Sequence, residues 1–297
     1  MNKKRLAVVS FHWGGNDSRT LKELRCLKSQ FRIQQIFPIK NKYQKKENFL
    51  FKEFPIRVPA SWPLKFQMFW FWLAAWVKSF FLKADCVQAQ DLYSLPIAAF
   101  IAWKNKAKLV YDCHEYFPHV TGVQPGSRTQ KFWQRLEAVF IRKADLIFTV
   151  SPSIQAALQR DYGVSAKLLR NVPEPQPIST YPLRNQLNLQ ESDALILFMG
   201  ALTEGRGLEL LLPVLQQFSH LHWLILGDGA LKPIIIEKAK ALNIEHQIHF
   251  WGFLPLSDAM NVGAACDVGY CIMEKASLNN YFSLSNKFFE YIWMELP

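Results

Sequence analysis

The sequence predicts an α/β chain made of two doubly wound domains, and three observations carry that prediction. Short runs rich in β-branched and aromatic residues alternate with helix-length segments through the first 170 residues. A proline-rich stretch, Asn171-Val-Pro-Glu-Pro-Gln-Pro-Ile-Ser-Thr180, then reads as an extended linker. The alternation restarts at Ala194 and runs to the end. Of the 297 residues half are hydrophobic and 20% charged, enough for a core in each domain and too little charge for a disordered chain.

In the first half, strands are predicted at Leu6–Phe11, Ile33–Pro38, Cys86–Gln90, Lys108–Asp112 and Leu146–Ser151. Helices are predicted between them at Arg19–Gln30, Leu64–Leu82, Tyr93–Trp103, Thr129–Lys143 and Ile154–Tyr162. In the second half the strands are Ala194–Met199, Trp223–Leu226, Gln247–Trp251 and Val268–Ile272. The helices there are Leu208–Phe218, Leu231–Leu242, Ser257–Ala265 and Leu284–Met294. The division is a first domain of residues 1–172, a linker of residues 173–182 and a second domain of residues 183–297. Open parallel sheets bind ligands beyond the carboxyl ends of their strands, so a cleft between the domains is the expected site.

The formal charge of +11 is unevenly spread: residues 1–170 carry 28 Lys and Arg against 11 Asp and Glu, the remainder 7 against 13. The basic half is expected either to face an anionic partner or to present a solvated basic face. The run Phe66–Leu82 is crowded with aromatics, follows Lys40, Lys42, Lys45, Lys46, Lys52, Arg57 and Lys65, and contains Lys78. It is short for a membrane span. Two readings stand: a helix lying on an anionic membrane, or a helix buried against the sheet. Five cysteines without zinc or disulfide spacing fit a reducing cytoplasm. The basic start followed by a short apolar run reads as a first strand rather than a signal peptide.

Two segments describe the walls of a nucleotide-sugar pocket. Gly200-Ala-Leu-Thr-Glu-Gly-Arg-Gly207 follows a strand and opens a helix; Gly205 and Gly207 admit close backbone approach, and Arg206 supplies a permanent cation suited to two phosphates. Downstream, Asn286, Lys287 and Glu290 share one short helix, where the carboxylate can accept bonds from sugar hydroxyls. Gly227-Asp-Gly229 directly follows a strand but lacks the third glycine of a dinucleotide fingerprint, so it reads first as a tight turn. His114 stands just past a strand end in Tyr111-Asp-Cys-His-Glu-Tyr-Phe-Pro-His119. The proline four residues on excludes a zinc-protease helix, so a hydrogen-bonding or electrostatic role is expected. Asp91 is a rim candidate by position, and Gly14 and Gly15 precede a helix that Asp17 or Ser18 would cap. His220, His222, His246 and His249 read as strand and loop residues without ligand partners. No Asp-any-Asp triplet occurs, so neither a metal nor another cofactor is expected.

Taken together, Tyr111–Glu115, Ala144-Asp-Leu-Ile-Phe-Thr-Val-Ser151, Arg170-Asn-Val-Pro173, the Gly200–Gly207 loop, Gly227–Gly229 and Ser285-Asn-Lys-Phe-Phe-Glu-Tyr291 resemble the retaining glycosyltransferases of the GT-B architecture, family 4. The resemblance implies two Rossmann-like domains facing across a cleft, with the donor on the second and the acceptor on the first, Gly14, Gly15 and Asp91 included. Arg206 would contact the diphosphate, Glu290 the ribose, and His114 the transferred sugar; His114 and Arg206 are the expected catalytic residues. Gly205, Gly207, Gly227, Gly229, Asn286 and Lys287 would complete the donor site. Two departures stand out: Phe282 replaces a second glutamate, leaving Asn280 or Ser283 as substitutes, and Leu202 replaces a cation earlier in the loop. Members of this group continue past the Glu290 motif, so the second domain is expected to be incomplete and the chain a C-terminal truncation.

The function expected is transfer, with retention, of a sugar from a nucleoside-diphosphate donor to a carbohydrate or lipid-linked acceptor in cell-surface polysaccharide or glycolipid assembly. It would take place in the cytoplasm or peripherally on the inner membrane face. The competing readings are a nucleotide-sugar epimerase of the same fold, a non-enzymatic basic module on membrane or nucleic acid, and a Rossmann oxidoreductase. No recognition helix or stacking platform supports nucleic-acid binding.

Overall fold

The computed structural model describes residues 3–13, 17–40, 51–174 and 177–297. It divides into two compact units, Met1–Arg170 and Asn171–Pro297. Unit 1 runs β1 (Lys4–Ser10), α1 (Ser18–Leu27), β2 (Phe31–Ile39), β3 (Lys52–Arg57), α2 (Leu64–Ser79), β4 (Cys86–Gln90), α3 (Leu95–Asn105), β5 (Lys108–Cys113), α4 (Arg128–Ile141), β6 (Leu146–Thr149), α5 (Pro152–Tyr162) and β7 (Lys167–Leu168). Unit 2 runs α6 (Leu183–Gln186), β8 (Ala194–Met199), α7 (Leu212–Gln217), β9 (Leu221–Leu226), α8 (Lys232–Leu242), β10 (Ile248–Phe250), α9 (Leu256–Gly263), β11 (Val268–Gly269), α10 (Leu278–Phe282) and α11 (Asn286–Trp293).

All strands described pair in parallel, in the order β3-β2-β1-β4-β5-β6-β7 in unit 1 and β10-β9-β8-β11 in unit 2. Strand order reverses between β1 and β4 in the first sheet and between β8 and β11 in the second. The chain leaves the carboxyl ends of neighbouring strands in opposite directions there, which opens a crevice. Strand β8 shows why the sheet is parallel and covered on both sides. Its Leu195, Leu197 and Met199 enter one core cluster while Ile196 and Phe198 enter the other, so successive side chains are apolar in both directions.

Several elements differ from the sequence prediction. Strand β3 carries Pro55 yet pairs with β2, because it is the outermost strand and needs donors on one side only. The helix predicted at Leu208–Phe218 is a 3-10 turn, Leu208–Leu211, followed by α7; Pro213 sits in the first turn of α7, where its missing N–H costs nothing. Strand β11 pairs over two residues rather than the five predicted. Helix α2 satisfies part of each reading of Phe66–Leu82: Gln67, Met68, Phe71, Ala75 and Ser79 are buried, Trp72 is half-buried, and Phe66, Phe69, Trp70 and Trp76 are exposed.

Candidate functional site

In unit 2 the crevice beside β8 is built from three segments. The Gly200–Gly207 loop leaves β8 and is braced by the turn after β9: the Gly200 N–H donates to the Leu226 carbonyl at 2.9 Å and the Leu202 N–H to the Asp228 carbonyl at 3.0 Å. Gly227 and Gly229 flank that brace. The Leu202 side chain is fully buried in the core, so its position in the loop offers no cation to a ligand. At the far end, Gly207 has φ +64, and a Cβ there would lie 2.6 Å from Ile272 Cγ2, so both the left-handed backbone and the contact call for glycine. The loop end is pinned further by the Tyr270 hydroxyl, which donates to the Gly207 carbonyl at 2.5 Å. The Glu274 carboxylate accepts the Gly207 N–H at 3.2 Å, and the Glu274 N–H donates to the Gly205 carbonyl at 3.0 Å. Arg206, half-buried between these glycines, reaches Met273 Sδ with Nη1 at 3.2 Å.

Helix α11 brings the third segment. Tyr291 anchors it to the sheet: its buried hydroxyl accepts the Met199 N–H at 3.1 Å and lies within donating reach of the Leu197 and Tyr270 carbonyls, at 3.3 and 3.2 Å. One turn earlier Lys287 is only 9% exposed. Its Nζ lies 4.3 Å from the centre of the Phe198 ring, and its stem lies so close to Gly200 that a Cβ there would sit 2.9 Å from Lys287 Cε. Burial, with the charge of Arg206 adding to it, lowers the Lys287 ammonium to about 8, while Glu290 on the same helix favours the charged form. Asn286 is exposed at the helix start and Glu290 is half-buried. Asn280 places its amide nitrogen against Gly205, 2.5 Å from where a Cβ would stand, whereas Ser283 donates to the Asn280 carbonyl. Of the two substitutes considered for the position of Phe282, the structure brings Asn280 to the loop. The arrangement presents two cations, a carboxylate and an amide around a glycine-rich backbone, which is a setting for a phosphorylated, hydroxyl-bearing ligand.

In unit 1 the crevice between β1 and β4 holds a network of buried charges. Arg19 forks onto Asp112 at 2.7 and 2.9 Å and donates to the Leu169 carbonyl at 2.8 Å. His114 faces Asp112 with Nε2 at 2.9 Å and Asp91 with Nδ1 at 3.3 Å. Asp91 holds a left-handed backbone, φ +60, that no glycine relieves, and its Oδ1 accepts the His114 N–H at 2.8 Å. Burial alone would lower His114, but the charge of Asp91 and the bond to Asp112 outweigh it and hold the imidazole up to about 9. Asp112 is held far below the carboxylate range: burial opposes ionisation, but bonds and charge from His114 and Arg19 prevail. Burial, reinforced by Asp112, pushes Glu23 up to about 7; it accepts from Gln88 at 2.7 Å and Gln90 at 3.0 Å. Asp91 and Asp112 face the two ring nitrogens and favour the charged form of His114, although burial raises Asp91 itself, so His114 is suited to act as an electrostatic group and a donor.

A cavity of about 340 Å³ opens over this network, lined by Phe11, His12, Asp17, Gln90, Asp91, Tyr93, His114, Glu115 and Phe117. The His12 and His114 rings stack 6.3 Å apart, and His12 Nδ1 is buried without a partner among the described residues. Asp17 caps α1 by accepting from the Thr20 N–H at 2.8 Å. Gly14 and Gly15 lie outside the described residues. His114 and Asp91, each singled out separately in the sequence, thus form one unit. Arg19, Glu23, His12 and Asp112 went unread, and the left-handed aspartate is a signal visible only in the backbone. His222 Nδ1 and His249 Nε2 are 3.1 Å apart across β9 and β10, so these two strand residues face each other. Among the described residues no group of three or more His, Cys, Asp or Glu stands together so as to hold a metal.

Two family descriptions match consecutive stretches that together span most of the chain: Glycosyltransferase Family 4 over residues 37–175 and Glycosyl transferases group 1 over residues 181–275. No curated protein matches significantly. Among solved structures, a sucrose-phosphate synthase from Thermosynechococcus elongatus superposes with a TM-score of 0.67 at 16% identity, over 90% of this chain and 75% of that one. HepE from Anabaena, solved with UDP and glucose, gives 0.62 at 16% identity over 90% and 73%. A trehalose-6-phosphate protein from E. coli with bound UDP-2-fluoro glucose gives 0.71 at 12% identity over 98% and 81%. At such identities these likenesses speak for the fold.

Proposed function

The chain belongs to the family 4 glycosyltransferases of the GT-B architecture, and we propose that it transfers a sugar, with retention, from a nucleoside-diphosphate sugar bound by unit 2. The observation that carries this reading is the pair Arg206 and Lys287. They come from two separate segments, and the lysine is held in a dry position against the backbone of Gly200 despite the cost of its burial. Glu290 offsets only part of the cost of a buried cation beside a second cation, and a diphosphate supplies the further anion.

Within this reading Arg206 and Lys287 neutralise the diphosphate as it departs. Glu290 accepts from the ribose hydroxyls, Asn286 contributes a polar contact at the helix start, and Asn280 contacts the donor sugar. Gly205, Gly207, Gly227 and Gly229 keep the backbone close to the ligand. His114, whose charged form Asp91 and Asp112 favour, donates towards the transferred sugar, and the leaving phosphate takes the acceptor's proton. Transition-state stabilisation is then electrostatic, and loss of one such group costs about 10²–10³ in rate. No metal or other cofactor is assigned a step, because the two side-chain cations meet the charge. The acceptor is assigned to unit 1, as a carbohydrate or lipid-linked sugar of cell-surface polysaccharide or glycolipid assembly. The protein is placed in the cytoplasm or on the inner membrane face.

HepE and the trehalose-6-phosphate protein are described with UDP or a UDP-sugar, so UDP-sugars head the donor panel. Release of free nucleoside diphosphate from UDP-, GDP- and ADP-sugars, with anomer analysis of the product, tests the reading. Release dependent on Arg206, with retained configuration, supports it. Interconversion of two nucleotide sugars without release of nucleotide favours an epimerase instead.

A further inference from the structure

Helix α2 is apolar on every side, yet the fold covers only one of them. At 100° per residue, Gln67, Met68, Phe71, Ala75 and Ser79 occupy the arc that packs on the sheet. Phe66, Phe69, Trp70, Leu73, Trp76 and Val77 occupy the opposite arc, about 120° wide, and all are exposed. The surface continues beyond the helix. Phe80 and Trp76 both meet the Phe100 ring of α3, and Phe100 meets Trp103. Phe81, Trp103 and Phe69 are 81%, 76% and 64% exposed. A soluble chain leaves so large a contiguous apolar surface open only where something covers it.

We propose that this face docks on an anionic lipid surface. Two observations select the occupant. First, α2 has 16 residues and no acidic side chain. At about 24 Å it is shorter than the roughly 30 Å hydrocarbon core, and among the described residues no helix is long and apolar enough to cross a membrane. Lying in the interface is what its length permits, and exposed Trp and Phe favour that zone. Second, exposed cations neighbour the patch along the chain, Lys65 before Phe66, Lys83 after Phe81 and Lys106 after Trp103. The Arg57 carbonyl accepts from Trp70 Nε1, and Lys65 and Lys104 place their ammonium groups over the rings of Phe66 and Phe80. A second copy docking through the same face would bring two basic rims together, whereas acidic headgroups neutralise the cations. The inference stands apart from the donor reading, since neither nucleotide nor unit 2 enters it.

The test is co-sedimentation of the full chain with phosphatidylcholine vesicles, with and without phosphatidylglycerol. The wild type is expected to sediment with the anionic vesicles and to release as salt rises. The variant F69S/F81S/W103S, changed at three of its most exposed apolar positions, is expected to bind at least about tenfold more weakly while melting as the wild type does. The variant K65E/K83E, whose fold rests on neither side chain, is expected to lose preference for anionic vesicles and carries the test if the first variant misfolds. A cooperatively folded wild type that ignores anionic vesicles overturns the proposal. So does undiminished sedimentation of either folded variant, or a solution dimer that the F69S/F81S/W103S changes dissolve.

Discussion

Replacing Lys287 by methionine removes a buried charge and leaves a side chain of similar length against Gly200 and Phe198. Burial lowers this ammonium from its ordinary 10.5 to about 8, which corresponds to about 3 kcal/mol spent on keeping it charged in the folded state. Below pH 8 the group is charged in both the folded and unfolded chains, so the folded state carries the whole cost. Between pH 8 and 10.5 the folded state sheds its proton first and the cost fades; above 10.5 it is gone. The substitution also forfeits the contact of the ammonium with the Phe198 ring, about 1–2 kcal/mol. The net expectation at pH 7 is that K287M is more stable than the wild type by about 1–2 kcal/mol, raising the melting midpoint of unit 2 by roughly 4–8 °C. That advantage disappears as pH rises from 8 towards 10.5. Calorimetric scans at pH 7 and pH 10, each with and without UDP, read all of this. In the wild type, nucleotide binding weakens above pH 8, because the anion favours the protonated lysine. A variant that melts lower than the wild type at pH 7, or that keeps the full response to nucleotide, would refute the claim that Lys287 is stored for an anion.

Three further outcomes follow from other parts of the fold. Gly207→Ala forces a left-handed backbone on a residue with a Cβ that runs into Ile272; it is expected to cost about 1–3 kcal/mol of stability and to weaken nucleotide response, read by urea unfolding and by titration. Tyr162→Phe removes one of two hydroxyls, with Tyr111, that donate to the fully buried Glu137 at 2.8 and 2.9 Å. It is expected to destabilise unit 1 by about 1.5–3 kcal/mol, and unchanged stability would contradict the assignment. Burial and the charge of His222 lower His249 to about 4, so the folded state resists a proton that the unfolded chain accepts. Unit 2 therefore loses stability as pH falls from 6.5 towards 4, and H249F is expected to flatten that limb of a pH-dependent melt.

How much of this was legible in the sequence depended on whether the signal was local. Strand β8 announces itself because six apolar residues in a row fit only an element covered on both faces, and the glycine loop after it was read for the same reason. Strand β3 was missed because Pro55 argues against a strand everywhere except at an edge, and edge position is a property of the whole sheet. Strand β11 is short, and the residues after it, Tyr270 and Glu274 among them, pin the glycine loop through side chains whose partners lie far away along the chain. The pairing of His114 with Asp91, of Arg19 with Asp112 across 93 residues, and of His222 with His249 joins residues that sequence alone treats singly. Tyr291 was visible only as part of a motif, and its anchoring role emerges from the depth at which its hydroxyl meets β8.

The donor site on unit 2 is the central claim, and thermal unfolding with UDP, GDP and ADP, run beside R206A, tests it most directly. Ligand at about a hundred times its dissociation constant adds roughly 2.7 kcal/mol of stability. The account predicts such a shift with one of these nucleotides and its loss in R206A. A protein that melts cooperatively and responds to none of them, or an R206A variant that responds as the wild type does, would contradict it.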